Sequence, residues 1–135
     1  MLPKQKMQQY RKSNHSVSMV NYHLVWTPKR RKKVLVEDIE RRTREIIGEV
    51  CQENKWAIIA LEIMPDHIHL FVNVPPNIAA HQVVKAIKGR SSRFLRQEFP
   101  ELKKLPSMWT PSYFVCAACN VSNETVRRYI ENQKK

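Results

Sequence analysis

Two histidines separated by one residue, His67 and His69, stand in the stretch Met64-Pro65-Asp66-His67-Ile68-His69-Leu70-Phe71-Val72. Along an extended strand successive side chains point to opposite faces, so Ile68, Leu70 and Val72 form an apolar face while both imidazoles leave the other. Their Cβ atoms then lie about 7 Å apart, twice the strand rise, which suits two ligands of one divalent ion or two contacts to one phosphate. Two half-exposed histidines on a sheet would leave the same pattern. Far downstream, Tyr129 and Gln133 are four residues apart, the spacing that aligns a phenol and a carboxamide along one side of a helix. A tyrosine beside Val126 and Ile130 equally serves packing.

The elements that must carry these residues can be traced by hydrophobic period. Val17 to Thr27 alternates as a strand, with Val20, Tyr22, Leu24 and Trp26 on one face and Met19, Asn21, His23 and Val25 on the other. Ile39, Ile46, Ile47 and Val50 recur at helical spacing behind acidic Glu37 and Asp38, predicting a helix over 37–53. A second strand over 55–63 puts Ala57, Ile59, Leu61 and Ile63 on one face and Trp56, Ile58, Ala60 and Glu62 on the other. Met64-Pro65-Asp66 turns the chain into the histidine strand, because proline presets the φ angle of a tight turn. The two strands then pair antiparallel, which brings Glu62 to the histidine face as a possible accessory ligand or a solvated carboxylate.

Val83, Val84, Ile87, Phe94 and Leu95 trace the apolar stripe of a second helix over 79–98. Pro100 to Pro106 is a loop, 109–118 a fourth strand with Ser112-Tyr113-Phe114-Val115 as its centre, and Ser122 caps a last helix bearing Tyr129. Strand, helix, strand, strand, helix, strand is the order of an α+β, ferredoxin-like (split βαβ) fold, a four-stranded antiparallel sheet with two helices on one face. An additional C-terminal helix follows it, and His67 and His69 face away from the two helices onto an open sheet surface.

The chain has 135 residues, enough for one domain at 15–135 behind a loose basic arm at 1–14. Lys plus Arg number 24 against 12 Asp plus Glu, a formal charge of +12, so a polyanion is the expected partner and nucleic acid the default one. Candidate DNA contacts are the run Lys29, Arg30, Arg31, Lys32 and Lys33, which could equally be a solubility device, and the helix residues Lys85, Lys88, Arg90 and Arg93. No long apolar span or signal peptide is apparent, and a cytoplasmic protein is expected. Cys51, Cys116 and Cys119 are odd in number and read as reduced, mostly buried thiols, the lone Cys-x-x-Cys lacking the four ligands of a structural zinc site. Two glycines exclude a glycine-rich phosphate loop.

His67-Ile68-His69 on a third strand, with Tyr129 and Gln133 on a following helix, resembles the single-tyrosine HUH transposases of small insertion sequences, the TnpA type, in the same superfamily as the REP-associated tyrosine transposases. Asn21-Tyr22-His23-Leu24-Val25-Trp26-Thr27-Pro28-Lys29, Met64-Pro65-Asp66-His67-Ile68-His69 and Pro111-Ser112-Tyr113-Phe114-Val115 resemble that family's framework in order, over about 15–133. The resemblance implies an enzyme that cleaves and rejoins single-stranded DNA at hairpins of the element ends. His67, His69 and Gln133 would hold Mg²⁺ or Mn²⁺, and Tyr129 would attack, staying on the 5′ phosphate and freeing a 3′ hydroxyl. It also implies a homodimer in which the tyrosine helix can complete the other subunit's site. One departure is Ala117-Ala118-Cys119-Asn120, where the family often has glycine before the last helix; cysteine resists backbone angles that glycine allows.

The rival reading is a non-catalytic or domesticated nucleic-acid-binding protein of the same fold, stacking bases on aromatic residues such as Tyr22, Trp26, Trp56 and Phe71. Tyr22 and Trp26 share a face with core residues, which counts against that platform. Domestication within the transposase family would keep the chemistry and change the target.

Overall fold

Alternation of Tyr22, Leu24 and Trp26 with Asn21, His23 and Val25 produces the central strand of a sheet, β1 (Val20–Trp26). The computed structural model describes residues 19–117 and 123–134. The basic arm, Ala118, Cys119 and the expected Ser122 cap lie outside that range. Strand β2 (Ala57–Met64) pairs with β3 (His67–Val74), and β1 lies between β3 and β4 (Phe114–Ala117). All pairings are antiparallel and the order is β2-β3-β1-β4, the expected ferredoxin-like sheet.

Helices α1 (Glu37–Glu53) and α2 (Ala80–Glu98) bury their stripes, Ile39, Ile46, Ile47 and Val50 from one and Val83, Val84, Ile87 and Leu95 from the other. They form one core with Leu24, Trp26, Ile68, Leu70 and Val72. Side chains of this size contribute about 1.5–3 kcal/mol each when fully buried, so this face holds the sheet together. The third helix, α3 (Asn123–Glu131), lies across the opposite face, where Val126 and Ile130 pack on Val25. The histidine face is therefore not an open surface as expected: Val25 is fully buried there, and one more apolar stripe was available to cover it.

Several expected boundaries move for local reasons. In β2 the register shifts between Ile58 and Ala60, so Ile58 sits opposite Val72 and Leu61 opposite Leu70. This irregularity breaks the strict two-residue period, puts Ile58 rather than Ile59 in register with the core side, and leaves Ile59 54% exposed. The fourth strand is shorter than 109–118. Trp109 makes only an isolated bridge with Pro28, and its indole Nε1 donates to Ser91 Oγ on α2 at 3.0 Å, so 109–113 follows the helix before joining the sheet. The Pro100–Pro106 loop contains a 3-10 turn, Pro100–Lys104, which buries Leu102.

Cys51 is free and buried on α1, and burial pushes its thiol up to about 11. Cys116 is disulfide-bonded, which corrects the expectation of a reduced thiol there. Among the described residues no helix is long and apolar enough to cross a membrane.

Candidate active site

The two-residue turn Pro65-Asp66 joins β2 to β3 so that Met64 lies opposite His67 and Glu62 opposite His69. Leu35 N–H donates to Pro65 O at 3.0 Å and ties this turn to the segment preceding α1. Asp66 bridges two neighbours: its Oδ1 lies 2.8 Å from His67 Nδ1 and its Oδ2 3.3 Å from Arg31 Nε. A carboxylate only accepts, so His67 Nδ1 carries the hydrogen, which leaves Nε2 as the nitrogen able to offer a lone pair. An outer carboxylate on one ring nitrogen is the usual way an imidazole ligand is oriented toward a metal.

The His67 and His69 rings are 5.0 Å apart, edge to face. Burial pushes His69 down to about 4, helped by the like charges His67 and His23 would carry and opposed by Glu62. It is therefore neutral near pH 7 and available as a ligand. His69 Nδ1 lies 3.2 Å from His23 Nε2 on β1, a neighbour that the hydrophobic pattern placed on this face without marking it functional. Its β1 partner lies at the offset that register alone could have supplied: His23 pairs with Phe71, two residues from His69. A cleft of about 300 Å³ opens between β3 and α3, with Asp66, His67 and His69 on one wall and Val126, Ile130 and Glu131 on the other.

Tyr129 and Gln133 share a flank of the last helical segment, as their spacing predicts, and that flank meets Ser112. Ser112 Oγ donates to Gln133 Oε1 at 3.1 Å, and its one hydrogen being used there, Tyr129 O–H donates to Ser112 Oγ at 3.1 Å. Burial raises the Tyr129 pKa, with the Ser112 and Thr110 hydroxyls opposing it. The loop is itself pinned: Lys88 Nζ donates to Thr110 O at 2.7 Å and Ser112 O at 2.9 Å. Neither Tyr129 nor Gln133 lines the histidine cleft; the adjacent positions Val126, Arg127, Ile130 and Glu131 do. Within one chain the structure thus brings together His67 with His69 and Tyr129 with Gln133, as two separate pairs.

Glu62 is exposed on β2 and acts on His69 and His23 through its charge. Among the described residues no group of three or more His, Cys, Asp or Glu side chains could hold a metal ion, so a third donor has to be of another type or arrive from elsewhere. The basic candidates divide. Lys29, Arg30 and Arg31 form a 3-10 turn that touches the turn Asn132–Lys134, and Arg31 is committed to Asp66. Arg30, Lys32, Lys33, Lys85 and Arg93 are exposed. Lys88 is spent on backbone carbonyls and burial pushes it down to about 8, while Arg90 grips Glu53 through two bonds at 2.9 and 2.7 Å. Both groups thus have internal partners in this fold.

The aromatic platform of the rival reading fares poorly. Trp26 is fully buried and Trp56 nearly so, and Tyr22 donates its hydroxyl to Ile78 O at 2.9 Å. Only Phe71 of the four is exposed, and its ring is stacked on His23.

The family model described as "Transposase IS200 like" matches residues 16–133. The chain belongs to the IS200-like transposases. The ISDra2 transposase TnpA of Deinococcus radiodurans is 32% identical over 126 residues, covering 91% of this chain and 90% of its own. The transposase of insertion sequence element IS200 from Salmonella typhimurium is 27% identical, covering 83% of this chain and 75% of its own. A crystal structure of a candidate transposase from Deinococcus radiodurans R1 superposes with a TM-score of 0.78 at 36% identity, covering 90% of this chain and 96% of that one. A REP-associated tyrosine transposase solved bound to a REP hairpin shares the fold, with a TM-score of 0.53 at 18% identity over 85% of this chain and 64% of that one. This transposase has the fold of these relatives.

Proposed function

We propose that this transposase cuts and rejoins single-stranded DNA through a 5′-phosphotyrosine on Tyr129, with a divalent cation held by His67, His69 and Gln133, and so moves an insertion sequence by recognising hairpins at its ends. The observation that carries the reading is the edge-to-face histidine pair beside a cleft, on the strand face opposite the core, with His69 kept neutral by burial. The donor set fits Mg²⁺ or Mn²⁺: two imidazoles, each with its Nδ1 engaged, and a carboxamide oxygen leave several coordination positions for phosphate oxygens. When bound, the cation supplies Lewis-acid polarisation of the phosphodiester.

The chain's own residues do the rest. Tyr129 Oη forms a bond to phosphorus as the 3′ oxygen of the preceding nucleotide leaves, and the ester conserves enough bond energy for a later 3′ hydroxyl to reverse the exchange. In the conformation described, the phenol is held off: it is half-buried, donates to Ser112, and has a raised pKa. Attack therefore requires the bond to Ser112 to break and the helix flank bearing Tyr129 and Gln133 to meet a histidine pair. A homodimer in which that flank reaches the cleft of a second copy satisfies the requirement, because α3 is seated by only a small apolar cluster. Exposed Arg30, Lys32, Lys33, Lys85 and Arg93, with half-buried Lys29, would receive the DNA backbone.

The test uses end-labelled single-stranded DNA from the element's own flank, with Mg²⁺ or Mn²⁺, on a denaturing gel. A covalent protein–DNA band that disappears with EDTA and in Tyr129→Phe is expected. DNA binding with no such band on a matched substrate would favour the non-catalytic binding reading.

A further inference from the structure

His23 is 7% exposed on the site face of β1. Its ring lies flat on Phe71, centroids 4.1 Å apart and planes at 11°, and Phe114 closes on its edge at 6.2 Å. An apolar ring would fill this slot without the desolvation that an imidazole suffers among aromatic neighbours. Its Nδ1 is buried with no hydrogen-bond partner among the described residues, so packing alone does not account for a histidine. The one hydrogen bond of the ring goes from or to His69 Nδ1, at 3.2 Å.

Between two neutral imidazoles, one nitrogen of that contact carries the hydrogen. If it is His23 Nε2, then His69 Nε2 bears a hydrogen and cannot ligate. If it is His69 Nδ1, then His69 Nε2 offers a lone pair. We propose that His23 is the positioning residue of His69, accepting its Nδ1–H and so holding the tautomer and ring plane in which Nε2 can take a divalent cation. This rests on the metal reading given under Proposed function. It makes the two histidines alike in design, each held through Nδ1 by a residue outside the ligand set, Asp66 for His67 and His23 for His69. The stack on Phe71 fixes the plane of the holder in turn.

The full chain without DNA is titrated with Mn²⁺, free ion being followed by electron paramagnetic resonance, for wild type, His23→Phe, His23→Gln and His67→Ala. His23→Phe keeps an aromatic ring on Phe71 and removes the acceptor; it should weaken Mn²⁺ binding about 10- to 100-fold, the usual effect of losing an outer partner. His23→Gln keeps an acceptor and should recover most of that loss. In wild type with saturating Mg²⁺, nitrogen NMR should find His69 protonated at Nδ1, a readout that holds even if the Phe variant fails to fold. Wild-type affinity in His23→Phe, or a His69 Nε2–H in the metal-bound protein, overturns the inference while loss of binding in His67→Ala leaves the metal site standing. No Mn²⁺ binding in wild type, or binding indifferent to His67→Ala, overturns the metal reading and this inference with it.

Discussion

The two faces of one sheet are built to opposite rules. Behind it, Ile68, Leu70 and Val72 of β3 are fully buried in a core that comprises, among the described residues, twenty buried side chains from the sheet, α1, α2 and the segments around them. In front, His67 and His69 of the same strand line a cleft with Val126 and Ile130, which join Val25 in a buried cluster of three apolar residues among the described ones. The difference teaches that the strand owes its position to one face, which frees the other for polar groups whose packing contributes little. It also places the helix that bears Tyr129 on the weakly held side. Elements that move in function come from the low-stability end of a structure, and α3 has the few buried apolar contacts of such an element.

The sharpest way to break this contrast is to mutate neighbours on one strand. Leu70→Ala should lower stability by about 2–5 kcal/mol in a denaturant titration, as for other large-to-small changes in a tight core. His69→Ala, one residue away, should cost clearly less and abolish the covalent DNA band instead; equal destabilisation would mean that both faces carry the fold. Next in size, Ile130→Ala should loosen α3 without unfolding the sheet. Native-state hydrogen exchange should then show α3 amides opening at much lower free energy than those of β3, and a uniform loss across both would tie the helix to the main cooperative unit.

Tyr129→Phe removes one hydrogen bond to Ser112, worth about 0.5–1.5 kcal/mol, so a small change in melting temperature should accompany complete loss of the adduct. A pH series sharpens the electrostatic side. His69 is held at about 4 when folded against its ordinary 6.5, so the unfolded chain takes up its proton first as pH falls. The stability it confers is full above pH 6.5 and is lost as pH drops toward 4; the melting temperature of His69→Gln should fall less steeply across that window than that of wild type. Smallest of all, Arg90→Ala should leave the salt dependence of DNA affinity unchanged, because its exposed guanidinium is already occupied by Glu53. Lys32→Ala, at an exposed lysine, should reduce the slope by roughly one.

Much of this was legible along the chain. The alternation in 20–26 and 67–72 and the stripe of α1 place Leu70 inside and His69 opposite it, because side-chain direction follows directly from backbone period. The internal partners of Lys88 and Arg90 were not legible for the converse reason: a helical pattern says which way a side chain points, not which carbonyl or carboxylate waits there. His23 was read as one residue of a strand face, since its meeting with His69 depends on strand register between segments 46 residues apart.

The sequence by itself determined which residues could do chemistry here and which face of each element they occupy, because both follow from side-chain type and local period. Only the tertiary structure decided that α3 closes over the histidine face, that Tyr129 and Gln133 rest on Ser112 rather than beside His67 and His69, and that His69 is neutral against His23. Those outcomes depend on burial and on contacts between distant segments, and neither exists until the chain has folded.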